Sequence, residues 1–138
     1  GALATEGVVV TKHDLRLQLE REVMGKLVQI RREMQARYGD LKGQRMLLEG
    51  VRGGIFALFR ATLRLTDGVT ATHADSEVVA RDVAAATGLE MAPFLALVAH
   101  RNGTRKITDA EAPAVLRGCH DGLERLANWL DQHAVDDG

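Results

Sequence analysis

The feature that most constrains the fold of this chain is the stretch from Thr11 to Tyr38, which contains no proline. Its main apolar residues recur every three or four positions, as they do on one face of a helix. These residues are Leu15, Leu19, Val23, Leu27, Ile30 and Met34. Thr11 and Asp14 have the spacing of a capping box, and Gly39 can take the left-handed conformation that ends a helix. The pattern predicts one helix roughly 40 Å long, along which other helices must pack.

Four further helices are predicted from the rest of the chain. They cover residues 41–65, 76–87, 91–101 and 108–134. The third helix of the chain follows a cap at Asp75 or Ser76, and the last begins with a capping box of Thr108 and Glu111. The linker between the first two helices is short, so we expect them to form an antiparallel hairpin. The predicted fold class is all-α, an antiparallel up-and-down bundle of about five helices.

The predicted bundle occupies residues 11–134 as one domain, since a chain of 138 residues can bury a core of its own. Residues 1–10 end in the β-prone run Val8 to Val10, and we expect an extended arm or the remnant of an upstream domain there. Residues 135–138 are expected to be a frayed tail. The inner face of the last helix is predicted to hold Val115, Leu116, Cys119, Leu123, Leu126 and Leu130.

Glycines fall inside two of the predicted helices. Three of them lie in the second helix, namely Gly50, Gly53 and Gly54. Each costs up to roughly 1 kcal/mol of helix propensity relative to alanine, so we expect either a close approach to the first helix near Gly25 or a kink. Gly118 and Gly122 are four residues apart in the last helix and predict a flat strip for close packing.

Composition argues against several classes of function. Aromatic residues make up 4% of the chain, which disfavours base stacking on single-stranded nucleic acid. The single cysteine, Cys119, lies on the apolar face of the last helix, so we expect a core residue. No apolar run approaches the length of a membrane span, and we recognise no leader sequence. We therefore expect a cytoplasmic protein with no membrane partner.

Charge is distributed unevenly along the chain, although the net charge is only −1. Residues 1–65 carry 12 Lys and Arg against 7 Asp and Glu, whereas residues 66–138 carry 6 against 12. A basic half built of long helices can bind an acidic partner or a phosphate. The alternative interpretation is that these charges form the solvated faces of amphipathic helices.

Catalytic motifs are missing from the sequence. It contains no Walker-type phosphate loop, no G-x-G-x-x-G, no G-x-S-x-G and no H-E-x-x-H. The histidines are scattered, and each is expected to be an ordinary surface or boundary residue: His13, His73, His100, His120 and His133. We therefore expect no catalytic residue, no metal site and no cofactor, and a chain that is not an enzyme by itself.

One dense polar cluster lies on the first helix, where acidic and basic residues alternate over residues 16–32. Facing helices can direct several cations toward one phosphate group. We therefore predict a groove for an anionic ligand that is lined by Glu22 and Lys26 of the first helix and by Arg60 and Arg64 of the second. The alternative is that these charges pair on a solvated helix surface, as Glu22 and Lys26 can at a spacing of four.

Two segments together resemble the helical C-terminal part of bacterial nucleotidyltransferase-like proteins of the polymerase-β type. They are LRLQLEREVMGKLVQIRREM at residues 15–34 and GGIFALFRATLRL at residues 53–65. The resemblance to this kanamycin-nucleotidyltransferase-like bundle implies an upstream catalytic nucleotidyltransferase domain. It also implies that the bundle holds an acceptor substrate, with Glu20, Glu22 and Lys26 as the residues involved, and that it contributes to a dimer.

The chain departs from that family at the residues that carry activity. The family needs a Gly-Ser pair at a helix start and paired Asp residues on a strand, and the sequence has neither; Asp136 and Asp137 lie near its end. The predicted function is therefore a non-catalytic accessory domain, used for substrate holding or subunit contact, without direct nucleic-acid binding. A homodimer is expected because three apolar residues lie off the main stripe of the first helix, namely Leu17, Met24 and Val28.

Alternative functions remain open from the sequence alone. One is a stand-alone protein-interaction bundle. Another is a bundle RNase of the toxin–antitoxin type, which needs four to six residues between an Arg and a His of one helix; Arg117 to His120 and Arg125 to His133 do not have that spacing. A helix-turn-helix DNA reader would need base-reading side chains on residues 91–101, where Ala, Leu and Val predominate.

Overall fold

The computed structural model describes residues 11–67 and 75–136, and over these ranges the chain forms five helices and no strand. The helices are α1 (Lys12–Ala36), α2 (Leu41–Asp67), α3 (Ser76–Thr87), α4 (Ala92–Asn102) and α5 (Ala112–Asp136). The prediction of an all-α bundle of about five helices is confirmed. None of these five helices is long and apolar enough to cross a membrane.

Capping by side chains explains where two of the helices begin. The predicted capping box of α1 is present, since the N–H of Asp14 donates to Thr11 Oγ1 at 3.0 Å and the N–H of Thr11 donates to the Asp14 carboxylate at 3.4 Å. Asp75 caps α3 by accepting the N–H of Val78 at 3.0 Å. Gly39 has a φ of +82°, so the left-handed turn predicted after α1 is confirmed.

The end of α2 and both ends of α5 differ from the prediction by a few residues. α2 continues two residues beyond the predicted end at 65, and the hydroxyl of Thr66 donates to the Leu63 carbonyl at 3.1 Å within the last turn. Thr108 and Glu111 form their reciprocal bonds, but the regular helix starts only after them, at Ala112. α5 then extends two residues past the predicted end at 134. Residues 1–10, with the predicted Val8 to Val10 arm, and residues 137–138 lie outside the described ranges.

The contacts between helices place α2 at the centre of the bundle, because it packs against all four of the others. α1 packs against α2 and α5, α2 also packs against α3 and α5, and α4 packs against α3, α5 and α2. Met34 and Leu41 share a surface at the turn between α1 and α2, whereas Leu15 and Leu65 share one at the far end. Contacts in this reversed order are consistent with the predicted antiparallel hairpin.

The inward faces agree with the predicted helical stripes. On α1 the buried apolar residues are Leu19, Val23, Leu27 and Ile30, while Leu15 remains 45% exposed. On α5 they include Leu116, Cys119, Leu123, Leu126 and Leu130. Aromatic residues are few, yet all three phenylalanines lie in the core: the Phe59 ring meets Phe56 at 5.2 Å and Phe94 at 4.8 Å, both edge to face.

Close packing between α4 and α5 depends on two glycines. A Cβ on Gly122 would lie 2.5 Å from the Phe94 ring, and a Cβ on Gly118 would lie 2.9 Å from Pro93. Real Cβ atoms do not approach neighbours so closely, so only glycine fits at Gly122 while Phe94 keeps its place. The predicted flat strip on the last helix is confirmed.

The close approach expected at the glycines of α2 is not observed. No atom outside the local helix lies within 4 Å of the Cβ position of Gly25, Gly50 or Gly53, so no second backbone approaches them. The Cβ position of Gly54 meets only the end of the Lys26 side chain. α2 is assigned as one helix through Gly50, Gly53 and Gly54. Tertiary packing of the buried face outweighs their low helix propensity.

Candidate functional site

The residues predicted to line one anion-binding groove lie on different surfaces of the bundle. Glu22 and Arg64 share a groove of about 240 Å³ between α1 and α2. Lys26 lies one turn further along α1. Glu20 lies in a groove beside α5, since positions two apart on a helix point to different sides, and Arg60 lies in a groove with residues of α3 and α4. The structure therefore brings only Glu22 and Arg64 together.

The alternative of a Glu22–Lys26 ion pair is not observed either. Glu22 accepts a hydrogen bond from Gln18 at 3.3 Å, and Lys26 Nζ donates to Gln29 Oε1 at 3.1 Å. The ammonium of Lys26 lies over Gly54, where a Cβ would stand 2.8 Å from Nζ. Lys26 therefore contributes to the packing of α1 on α2.

A more basic groove lies on another side of α2, where α2 meets α4 and the start of α3. It has two lobes, of about 430 Å³ and about 250 Å³. The first lobe is lined by Arg52, Arg60, Asp75, Ser76, Glu77, Val98, Arg101 and Asn102. The second lobe is lined by Leu48, Glu49, Arg52, Leu97, His100, Arg101 and Lys106. Arg52 and Arg101 line both lobes, and we call the whole surface the arginine groove.

The carboxylates of the arginine groove are already engaged by other groups. Asp75 accepts the capping hydrogen bond of α3. Glu77 pairs with Arg81 at 3.2 Å, one turn further along α3. Glu49 pairs with one arginine of its own helix and with a buried histidine of α4. Glu77 and Glu49 are therefore paired with groups outside the set of groove cations, whereas Asp75 keeps its negative charge at the start of α3.

Three cations of the arginine groove, by contrast, form no ion pair with the described carboxylates. Among the described side chains, those of residues 11–66 and 75–133, no carboxylate forms an ion pair with Arg52, Arg101 or Lys106. Arg60 has an interaction of its own within the chain. Among the described side chains, the guanidinium groups of Arg52 and Arg101 therefore line one concave surface without an ion-pair partner, and Lys106 beside them has only a longer-range attraction to Glu49.

His100 fixes the shape of the second lobe. It is 8% exposed, its Nδ1 accepts the N–H of Ile107 at 2.8 Å, and its Nε2 lies 2.7 Å from Glu49 Oε2. Because Nδ1 is an acceptor, the neutral ring carries its proton on Nε2 and donates it to Glu49. The hydrogen bond from His100, with the charge of Arg45, holds the pKa of Glu49 below its usual range. His100 was expected at the surface or boundary, and that expectation was wrong.

This arrangement also limits the chemistry of His100. Both of its ring nitrogens are hydrogen-bonded within the fold, so neither offers a free lone pair to a substrate. The contact joins α4 to α2 and anchors the loop that leads to α5. His100 therefore acts in holding Arg101 and Lys106 beside α2.

A second cluster of polar groups joins α1 to α5. His120, Asp121 and Glu124 hold ligand-type atoms within 4.8 Å of one another. Arg31 occupies this cluster, because its Nε donates to His120 Nε2 at 2.8 Å and its Nη2 pairs with Glu124 at 3.1 Å. A divalent ion would have to displace the guanidinium from the imidazole lone pair, so we interpret the cluster as a contact between helices.

Cys119 lies in the core, as predicted. It is fully buried, and burial raises the pKa of its thiol to about 12. The thiolate is the nucleophilic form of cysteine. The thiol therefore stays protonated near neutral pH and has no access to a substrate.

The sequence contained only part of the signal for the arginine groove. Arg52 and Arg60 are two turns apart on α2 and share a side of that helix, which periodicity alone could have indicated. Arg101 and Lys106 join them only because α4 packs beside α2. No local pattern in the sequence specifies that packing.

No protein-family model, no curated protein and no solved structure matches this chain. The resemblance of residues 15–34 and 53–65 to nucleotidyltransferase helical domains therefore stays a prediction from the sequence.

Proposed function

We propose that this chain is a non-catalytic helical domain that binds the phosphate group of a ligand in the arginine groove. The observation that carries the proposal is the placement of Arg52, Arg101 and Lys106 around one concave surface, with the nearby carboxylates Glu49 and Glu77 already paired with other groups. This retains the predicted substrate-holding function but moves it from the α1–α2 hairpin to the surface between α2 and α4.

The chemistry of the groove suits an oxyanion such as phosphate better than an apolar ligand. Guanidinium groups donate paired N–H bonds to phosphate oxygens, and Arg52 and Arg101 project from two different helices. The groove also contains the start of α3 at Ser76, where the first N–H groups of a helix have no acceptor within that helix. These donors add to the attraction for an anion.

Catalysis is not part of the proposal. Nucleotidyl transfer with two divalent cations needs carboxylates held together on a rigid element, and Glu49, the carboxylate in the second lobe, is held by His100 and Arg45. Incubation of the chain with labelled nucleoside triphosphates and Mg²⁺ should therefore give no transfer product.

The resemblance to nucleotidyltransferase-like bundles supports a place beside an upstream catalytic domain. In that arrangement the arginine groove would hold a phosphate-bearing group of the substrate. The stand-alone interaction bundle remains the alternative, and it would bind a partner on a different surface from the arginine groove.

Titration with inorganic phosphate tests the proposal. Backbone amide shifts measured by NMR at constant ionic strength should change around Arg52, Ser76 and Arg101. Hydrogen bonds to charged groups contribute about 1.5–3 kcal/mol, so Arg52→Gln and Arg101→Gln should each weaken binding by about tenfold or more.

Arg125→Gln is the matched control, because Arg125 is an exposed arginine of α5 outside the groove. It should leave phosphate affinity unchanged. Circular dichroism establishes that each variant keeps its helices. Phosphate affinity that is insensitive to both groove substitutions, or the absence of any saturable shift, would show that the groove does not bind phosphate.

The second part of the proposal is a homodimer formed through the outer face of α1. Met24 is 43% exposed and Val28 is 47% exposed, one turn apart on that face. Between them Gly25 has no neighbour within 4 Å of its Cβ position, which leaves room for a second helix. A contiguous exposed apolar patch marks an interface, and the proposal is that Met24 and Val28 belong to one.

A further inference from the structure

The two lobes of the arginine groove share their central cations. Arg52 of α2 and Arg101 of α4 line both lobes, so their guanidinium groups stand where the lobes meet. A ligand that uses both arginines therefore lies at the junction, with one lobe on each side.

Each lobe also has polar groups that the other lacks. The first lobe offers the hydroxyl of Ser76 and the amide of Asn102 beside Arg60. The second lobe offers the ammonium of Lys106 above the buried side chains of Leu48 and Leu97. Donors for an anion are therefore present on both sides of the shared pair of arginines.

Charge favours a ligand with more than one phosphoryl group. Among the described side chains, Arg52 and Arg101 form no ion pair with a carboxylate, and Lys106 has only a longer-range attraction to Glu49, which already pairs with Arg45 and His100. A single phosphate group carries a charge of roughly −1.5 to −2 near neutral pH. One such group in the first lobe would leave the ammonium of Lys106 with only the shared charge of Glu49.

We infer that the ligand of the arginine groove carries two linked phosphoryl groups, one in each lobe, with Arg52 and Arg101 bridging them. The inference rests on the proposed phosphate-binding function and adds the chemical class of the ligand, a diphosphate. Arg60, Ser76 and Asn102 would contact the phosphoryl group of the first lobe. Lys106 would contact the phosphoryl group of the second lobe, while His100 and Glu49 hold its wall in place.

The test compares inorganic phosphate with inorganic pyrophosphate as ligands of the whole chain, at constant ionic strength. Pyrophosphate should bind at least about tenfold more tightly, because it engages the donors of both lobes. Lys106→Gln should weaken pyrophosphate binding by about tenfold and change phosphate binding by less than twofold. Lys106 is an exposed loop residue, so this variant is expected to fold. Arg125→Gln should change neither affinity.

The outcomes separate this inference from the proposed function. Equal affinities for phosphate and pyrophosphate, both weakened by Arg52→Gln, would overturn the diphosphate assignment and leave a phosphate groove. Equal weakening of both ligands by Lys106→Gln would also overturn it. If neither ligand binds, the phosphate-binding function fails as well. Tighter binding of a single-stranded oligonucleotide than of pyrophosphate would replace the diphosphate by a nucleic-acid backbone.

Discussion

At the scale of single residues, Gly122 sets how closely α4 approaches α5. Phe94 is fully buried and packs edge to face against Phe59, so its ring has little freedom to move away from an added methyl group. Overpacking of this kind costs about 1–3 kcal/mol, whereas alanine gains about 1 kcal/mol of helix propensity over glycine. Gly122→Ala should therefore lower the free energy of unfolding by up to about 2 kcal/mol, measured by urea denaturation.

Gly53→Ala is the matched control for that substitution. Gly53 is exposed in the middle of α2, and nothing lies within 4 Å of its Cβ position. The same chemical change should there stabilise the chain by about 0.5–1 kcal/mol through helix propensity alone. Two variants of equal stability would mean that Phe94 moves freely and that the α4–α5 contact is looser than the structure shows.

At the scale of secondary-structure elements, a chain of polar contacts joins α2 to α4 and to the start of α5. Arg45 pairs with both Glu49 and Asp109, and Glu49 accepts a hydrogen bond from His100. His100 in turn accepts the N–H of Ile107. This chain of contacts holds the loop between α4 and α5 against α2, and with it the second lobe of the arginine groove.

The pH dependence of stability should report on this contact. The pKa of Glu49 is lower in the folded protein than its usual 4.5, chiefly through the hydrogen bond from His100. The stabilisation is then complete above the unfolded pKa and is lost as the pH falls through the folded pKa. Glu49→Gln should therefore be less stable than the natural chain at pH 6, and the difference should shrink toward pH 3 in urea denaturation.

The pH dependence of the natural chain alone does not isolate Glu49, because the pKa of Glu111 is lowered as well, mainly by the backbone N–H of Thr108. The stability of Glu49→Gln must therefore be compared with that of the natural chain at each pH. Asp131→Asn serves as the control, since Asp131 is an exposed carboxylate of α5 away from this network. Its stability relative to the natural chain should change little between pH 6 and pH 3. A stability difference for Glu49→Gln that stays constant over this range would mean that the His100 contact does not depend on the carboxylate charge.

The elements were predictable from the sequence because the information that specifies a helix is local. The stripe from Leu19 to Ile30 and the cap at Thr11 are read from residues within a few turns of each other, and both are confirmed. The burial of His100 was missed, because its partners Glu49 and Ile107 come from different elements. The arginine groove was missed for the same reason, since it forms where α2 and α4 pack.

At the scale of the whole molecule, the two oppositely charged halves meet within one chain. Arg31 of α1 pairs with Glu124 of α5, and Arg45 of α2 pairs with Asp109 before α5. The uneven charge distribution is therefore partly neutralised inside the bundle, and it gives less reason to expect pairing between chains. The exposed apolar face of α1 remains as the argument for a dimer.

The last prediction is that two copies associate through this outer face of α1. At micromolar concentration, sedimentation velocity should show a species of twice the 15.0 kDa chain mass. Val28→Glu should return the protein to a single chain, because a charge in an apolar interface must be desolvated without a partner. The free energy of unfolding of the isolated chain should change little, since Val28 is already 47% exposed and lies outside the core.

Val78→Glu is the control, because Val78 of α3 is 43% exposed and carries the same substitution on a different surface. If α1 is the site of association, only a charge placed on its outer face should separate the two copies. The prediction fails if the natural chain sediments as a 15.0 kDa species. It also fails if both variants weaken the dimer equally.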